Sequence, residues 1–257
     1  MTAVRSWAWR IGPLLVAALV WELLVRTGVL DAQFFPPLHS ILQGFVEAFT
    51  AERIYADIAV TLQRLGIAFV VAALLGIPLA IGIGRSQVID GISRPFVDTL
   101  YPVPKVALLP MIILLTGAGE VPLLLVTGLT AFLQITISVS GAVRSIDTTL
   151  LEAGSNFGAT GVRHITRVVL PALMPAIFSA LRTALGLCLV TLIVVEFLSS
   201  RTGLGAFVAI SWQTLSVNLL YVGVLVTAVL GHGLNALLRI IERKSLPWNV
   251  SWAGAAP

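Results

Sequence analysis

The sequence predicts an all-α membrane protein with six transmembrane helices, and three observations lead to that fold class. The first is composition: 58% of the 257 residues are hydrophobic and 11% are charged, with a mean hydropathy of +1.00, whereas soluble domains carry roughly 25% charged residues. The second is segmentation. Apolar residues gather into six runs, at about 11–26, 63–84, 98–117, 121–141, 172–198 and 217–240, each near the roughly 20 residues that a helix needs to cross hydrocarbon. The third is charge placement. Lys and Arg lie at the ends of the runs and form no basic stripe, which argues for membrane orientation and against a nucleic-acid partner. Backbone at depth must satisfy its own hydrogen bonds, and the alternating pattern of a β-barrel is absent.

The first run follows Arg5 and Arg10 as a secretory signal would, but no small-x-small cleavage site comes after it and it extends past Trp21. It is read as an uncleaved first helix. Residues 27–62 form a long outer connection, in which Ser40 and Gln43 have capping-box spacing and Ile41, Leu42, Phe45, Val46 and Phe49 recur at helical intervals. A short interfacial helix is expected there, so residues 1–62 comprise the first span and a periplasmic segment. In the third run, Pro102, Pro104 and Pro110 predict an irregular start, and Gly117 to Glu120 make a tight turn into the fourth.

With the N-terminus inside, one face collects Arg5, Arg10, Arg85, Arg94, Arg144, Arg163, Arg167, Arg239, Arg243 and Lys244. The other holds Arg26, Arg53, Arg64 and Arg201, and ten against four is a positive-inside bias. Both termini, the tail 244–257 and the 151–171 loop are therefore expected in the cytoplasm. Lys105 and Arg182 fall within runs and are not counted. Cys188 is the single cysteine, so no intrachain disulfide can form.

The loop LEAGSNFGATGVRHITRVVLP is polar and punctuated by glycine between long apolar runs. Glu152 suits the first turn of a helix, Gly158 its termination, and Thr160 or Gly161 can cap a second helix. Val162, Ile165, Val168 and Val169 would give that helix an apolar face that docks in a groove, with Arg163, His164 and Arg167 on its polar side. Gly154 and Gly158 form a GxxxG pair, but that motif implies close helix packing only inside an apolar span.

Glu152-Ala153-Gly154, then Gly158, Val168, Leu170 and Pro171, resemble the EAA loop of ABC-importer permeases, with Gly154 and Val168 standing where Ala and Ile are usual. LGIPLAIGIGRS, YPVPKVALLPMIILLTGAGE and GAVRSIDTTLLEAG are similar to the nitrate, sulfonate, taurine and bicarbonate branch of that family, so the resemblance runs from roughly Thr61 to Arg243. It implies a type I importer fold with a permease core at 63–243, in a bacterial cytoplasmic membrane. A second permease copy, as a homodimer, would complete the pathway. Two ATPase subunits would bind ATP and Mg below, and a periplasmic or lipid-anchored substrate-binding protein would dock outside. Glu152, Ala153, Gly154 and Gly158 would fit a cleft of the ATPase.

No cofactor or catalytic centre is expected in the chain itself. A phosphate-binding Walker loop ends in Gly-Lys-Ser/Thr, and the only lysines, Lys105 and Lys244, follow proline and arginine. His39, His164 and His232 lack metal-ligand spacing, and no Gly-x-Ser-x-Gly elbow occurs. Thr127, Thr130, Gln134 and Ser138 share one helical face, which reads either as pathway lining or as interhelical hydrogen bonding. Arg182 and Glu196 lie fourteen residues apart, about 21 Å along a helix, too far to pair. Arg182 is expected to snorkel inward, and Glu196 to be a gate residue or the partner of another helix. No Lys or Arg falls at the centre of a predicted span, so a wet, low-affinity pathway along Thr127, Thr130, Gln134 and Ser138 is expected, with selectivity set mainly by the external binding protein. The resemblance points to a small anion such as a sulfonate, taurine or nitrate; a neutral or aromatic vitamin precursor is the alternative solute. An ion-coupled secondary transporter is the rival mechanism, but it would need coupling carboxylates or broken helices at the midplane in repeated halves, and neither is seen in the sequence. A membrane anchor for an ATPase is a third reading, which does not require the polar face.

Overall fold

The computed structural model describes residues 2–50 and 53–248, which are helical with no strand among them. The helices are α1 (Thr2–Arg26), α2 (Leu38–Thr50), α3 (Arg53–Arg85), α4 (Gln87–Leu100), α5 (Leu109–Thr116), α6 (Glu120–Arg144), α7 (Thr148–Asn156), α8 (Gly161–His164), α9 (Leu170–Ser199), α10 (Leu204–Gln213) and α11 (Val217–Ser245). Four stretches among the described residues are long and apolar enough to cross a membrane: Ile54–Arg85, Glu120–Arg144, Gly161–Ser199 and Val217–Ser245. A fifth is a broken pair, Gln87–Leu100 with Lys105–Thr116, bent by 91°. Over the first predicted span, α1 is helical. The side chains of Arg5, Arg10 and Arg53, counted in the charge bias, and the tail from 249 onward lie outside the described residues.

The core forms where α3, α6 and α9 meet. Ala68, Ala72 and Ala80 of α3, Ala131 of α6, and Ala180, Ala184 and Cys188 of α9 are buried in one cluster with Leu65, Val126, Ile135, Val139 and Leu192. Small residues let helix backbones approach closely, which is how helices associate where lipid removes the hydrophobic drive. Gly76 packs so near α6 that a Cβ would lie 3.3 Å from the Phe132 carbonyl oxygen. A second cluster joins Ile41 and Ala48 of α2, Leu204 and Phe207 of α10, and Val222 and Val226 of α11. Leu15, Leu19 and Leu23 of α1 and Val229 and Leu237 of α11 are exposed.

Two expectations change. The third run is not one helix: Pro102 and Pro104 have no N–H to offer the carbonyls four residues back, so α4 stops at Leu100 and a 3-10 turn, Lys105–Leu108, leads into the eight-residue α5. Ser40 does not cap the interfacial helix, which begins at Leu38. The amides of Ser40 and Ile41 bond to the Pro37 carbonyl (3.0 and 3.3 Å), and the Leu38 amide donates to the Glu22 carboxylate of α1 (3.0 Å). That bond and the Trp21 indole donating to the Pro36 carbonyl (3.1 Å) fasten α1 to the segment that leads into α2. The helices α4 and α10 were not anticipated. The α4 sequence is too polar to read as a span, and α10, at ten residues, reaches only about 15 Å.

A Cβ at Gly84 would overlap Val143 of α6, whereas one at Gly91, exposed on α4, meets nothing within 4 Å. Gly84→Ala should therefore cost about 1–3 kcal/mol by overpacking, and Gly91→Ala should be neutral or stabilising by up to about 1 kcal/mol. Thermal unfolding of the purified protein in detergent checks the contrast; equal effects would show that the α3–α6 contact is not limiting.

Candidate functional site

The 151–171 loop folds into two pieces. Asp147 caps α7, accepting from the Thr149 amide (2.8 Å), so the helix starts at Thr148 and Glu152 falls in its second turn, not its first. Gly158, at φ +80°, ends it, and the Ala159 amide closes onto the Gly154 carbonyl (3.0 Å). Thr160 then stands at the N-cap of α8. Glu152 is exposed, Ala153 and Gly154 are half-buried, and Gly158 is exposed. The two residues that depart from the EAA pattern touch each other: a Cβ on Gly154 would lie 2.7 Å from a Val168 methyl.

Between α8 and α9, residues Ile165–Val169 form a π-helical turn in which the Leu170 amide reaches the Ile165 carbonyl. The adjacent Pro171 has no N–H for a regular α-bond and its ring crowds the carbonyl four residues back, so a widened turn relieves the helix start. That turn rotates the side chains away from their expected faces. Val162 and Ile165 are exposed, Val169 is fully buried, and His164, expected on the polar side, is turned inward. Its Nε2 lies 3.1 Å from the Leu151 carbonyl and its Nδ1 3.3 Å from an Arg85 guanidinium nitrogen. A guanidinium only donates, so Nδ1 accepts and Nε2–H donates to Leu151. One imidazole thus ties the loop to the end of α3. Sequence reasoning also passed over Phe157, which stands 92% exposed beside Gly158; an aromatic in a polar loop was the available signal.

The polar face of α6 is partly accessible. Thr130, Gln134 and Ser138 are half-buried, whereas Thr127 is fully enclosed, with Cys188 of α9 beside its carbonyl. Gln134 Nε2 donates to Ser138 Oγ (3.0 Å), and Thr130 Oγ1 donates back to the Val126 carbonyl (3.0 Å). The break between α4 and α5 adds two groups to this face. Tyr101 donates its hydroxyl to Gln134 Oε1 (3.2 Å), and Lys105 bonds through Nζ to the Tyr101 carbonyl, 5.0 Å from that ring's centroid.

Glu196 is fully buried at the opposite end of the bundle from α7 and faces other helices. Arg64 of α3 donates to it (2.8 Å), as do Thr61 Oγ1 (2.9 and 3.1 Å) and the Gly205 amide (3.0 Å). Arg64 also holds Glu120 at the start of α6 (2.5 and 2.6 Å) and the Thr202 carbonyl (2.8 Å). Of the two roles open to Glu196 from the sequence, partner of another helix is the one whose contacts are present. Arg182 pairs with Glu242 of α11 at 3.4 Å. Among the described residues, no group of three or more His, Cys, Asp or Glu side chains could hold a metal.

A multi-pass helical membrane protein with a punctuated, rigidly mounted loop at one end and a polar face along a central helix is a transport permease in its architecture. The family described as binding-protein-dependent transport system inner membrane component matches residues 72–246, and the chain belongs to that family. It is 29% identical over 248 residues to the taurine transport system permease protein of Escherichia coli, covering 93% of this chain and 89% of that one. It is 28% identical over 252 residues to a putative aliphatic sulfonates transport permease protein of Bacillus subtilis, covering 97% and 91%. A riboflavin transport system permease protein of Chloroflexus aurantiacus is 33% identical over 157 residues, covering 61% and 59%. The chain is thus a transport subunit of the ABC class and not an enzyme.

The Arg64 cluster separates two costs. Glu196→Ala removes a fully buried carboxylate, leaving Arg64 with Glu120 alone and the Thr61 hydroxyl and Gly205 amide without their acceptor, for an expected loss of about 2–5 kcal/mol. Glu120→Ala removes a carboxylate that is 60% exposed and should cost about 1 kcal/mol or less. Unfolding midpoints of the two variants decide; equal losses would mean that burial of the pair does not govern its worth.

Proposed function

We propose that this chain is the membrane subunit of an ATP-driven importer in a bacterial cytoplasmic membrane, working as a homodimer by alternating access. In this reading α1 and the broken pair each count as a span, giving six, and the excess of Lys and Arg on one face supports a cytoplasmic position for both termini and α7. ATP and Mg belong to two partner ATPase subunits, and a periplasmic or lipid-anchored binding protein delivers solute at the opposite end. The exposed faces of α1 and α11 meet membrane lipid, and nothing in the charge pattern calls for nucleic acid.

The observation that carries this reading is the shape of the loop. Glu152 and Phe157 project from α7, Gly158 turns the chain at positive φ, and His164 and Leu151 anchor the assembly to the bundle. Such an element can transmit a push, because a protruding apolar side chain gives grip and a fixed base gives leverage. The solute favoured is a small anion, sulfonate, taurine or nitrate, in line with the taurine and aliphatic sulfonate permeases that the chain is similar to. A vitamin precursor is the second reading, favoured by the riboflavin relative. An ion-coupled mechanism has less support, since the buried carboxylates Glu196 and Glu242 each face an arginine near a helix end.

Glu152→Lys reverses charge at the proposed contact, and Gly158→Val puts a β-branched residue at φ +80°. Both should insert normally yet lose ATPase co-purification and transport, and Phe157→Ala should weaken ATPase binding at least tenfold, since burying that side chain is worth about 1.5–3 kcal/mol. Full transport by all three variants would remove the loop from coupling. For topology, a Cys188→Ser background carrying Thr160→Cys should label with an impermeant thiol reagent only after the cytoplasmic face is opened. Labelling from outside intact cells would invert the orientation.

A further inference from the structure

The break in the third apolar run brings a lysine to a depth that the linear sequence does not give it. Gln134 lies fourteen residues from Glu120 in the 25-residue α6, about 21 Å along its axis. Tyr101 is hydrogen-bonded to Gln134, and the Lys105 ammonium is bonded to the Tyr101 carbonyl and sits 5.0 Å from its ring centroid. A cation therefore stands within one tyrosine side chain of the middle of α6. Among the described residues no carboxylate pairs with it: none of their ion pairs includes Lys105. The nearest acidic residue along the chain, Asp98, lies on α4 before the break and lines a separate cavity with Arg94. A carbonyl and a π-face compensate an ammonium only in part, and uncompensated charge at depth is rare unless it serves a pathway.

The donors around that ammonium suit an oxyanion. Lys105 has three N–H groups, of which one is engaged with the Tyr101 carbonyl. The Tyr101 hydroxyl can turn from Gln134 toward a ligand, and Ser138 Oγ, which accepts from Gln134, keeps its own proton to donate. Lys105, Gln134 and Ser138 are half-buried and Tyr101 is 44% exposed, so the group is reachable without being sealed. Three donors linked through Tyr101 and Gln134, on Lys105, Tyr101 and Ser138, match in number the oxygens of a sulfonate or nitrate, and the half-open setting favours passage over capture.

We propose that Lys105, with Tyr101, Gln134 and Ser138, is an anion-selecting step of the translocation pathway, taking the oxyanion headgroup of the solute as it crosses. The proposal rests on the importer reading above and adds a selecting step in the pathway to the expectation that the external binding protein mainly sets selectivity. The second copy contributes the same four residues.

The test reconstitutes the whole complex, with its ATPase and binding protein, in liposomes and measures uptake per ATP hydrolysed for labelled ethanesulfonate and nitrate. Using the anion that the wild type moves better, Lys105→Met should lower that ratio at least tenfold, and Lys105→Arg should restore it to within threefold of wild type. Lys105→Gln serves as the second neutral variant should Lys105→Met fail to assemble. A neutral variant whose ratio stays within twofold of wild type overturns the proposal. So does a parallel loss of uptake and hydrolysis, or loss of assembly in both neutral variants, since either outcome makes Lys105 structural. Repeating the comparison in liposomes of phosphatidylcholine alone separates lipid from solute: a defect that appears only with anionic lipid assigns Lys105 to headgroups and overturns the proposal. A wild type that moves riboflavin and neither anion overturns it together with the solute class, while the Glu152→Lys and Gly158→Val results still judge coupling on their own.

Discussion

The Arg64–Glu196 pair is the interaction on which the arrangement of the bundle turns. A guanidinium that is 4% exposed and a carboxylate that is 0% exposed hold each other only because further groups satisfy what the pair leaves open. Thr61 and the Gly205 amide complete Glu196, and Glu120, Ser200 and Thr202 complete Arg64. The cluster joins three spans, α3, α6 and α9, at one end of the core. It also shapes the turn from α9 to α10. The Gly203 amide donates to Asp57 (2.7 Å), the Leu204 amide donates to Thr61 Oγ1 (2.8 Å), and a Cβ on Gly203 or Gly205 would collide with Glu196. Two glycines are required because the backbone must fold directly over a carboxylate, and at Gly203 it does so at φ +101°. A buried pair of this kind is no guarantee of stability in itself, but losing Arg64 would strand the fully buried Glu196, which makes the geometry intolerant of drift.

At the other end of the bundle the binding is mechanical more than electrostatic. The Asp90–Arg144 pair between α4 and α6 is short (2.6 Å) but partly exposed, and such pairs are worth little. What fixes the loop is the His164 bridge from Leu151 to Arg85, together with Leu151 and Leu170 packing on the main core. The close approach of Gly154 to Val168 adds a steric stop. A larger residue at either position would press α7 away from the π-helical turn.

Much of the fold was legible in the sequence because the physics of a bilayer is one-dimensional: length and apolarity of a run decide whether it can span. The runs at 121–141 and 217–240 became α6 and α11 nearly as read. The helix containing the run at 63–84 starts ten residues earlier, at Arg53, because Asp57 and Thr61 look like surface residues until the partners of a buried polar cluster are known. The loop's glycines were read correctly as turn points because positive φ is a local property. The inward turn of His164 was hidden by a period change, since a face counted at 3.6 residues per turn fails across a π-helical turn. Thr127 shares a helical face with Gln134 and Ser138, but which level of that face α9 covers is set by tertiary packing alone.

Proline explains the remaining difference, and it links structure to transport. A run of apolar residues without Pro102 and Pro104 would have continued as a straight helix, with Lys105 on its flank facing lipid or another span. The missing N–H groups stop α4 at Leu100, and the 91° bend turns Tyr101 and Lys105 toward the polar face of α6. Non-helical backbone at depth is tolerated where it is covered by protein or lines a water-filled space, and Tyr101, at 44% exposure beside Gln134, is not covered within one chain. The same break therefore costs the fold a continuous span and supplies the polar face with its one cation among the described residues, so the irregularity and the functional chemistry have a single origin in two prolines.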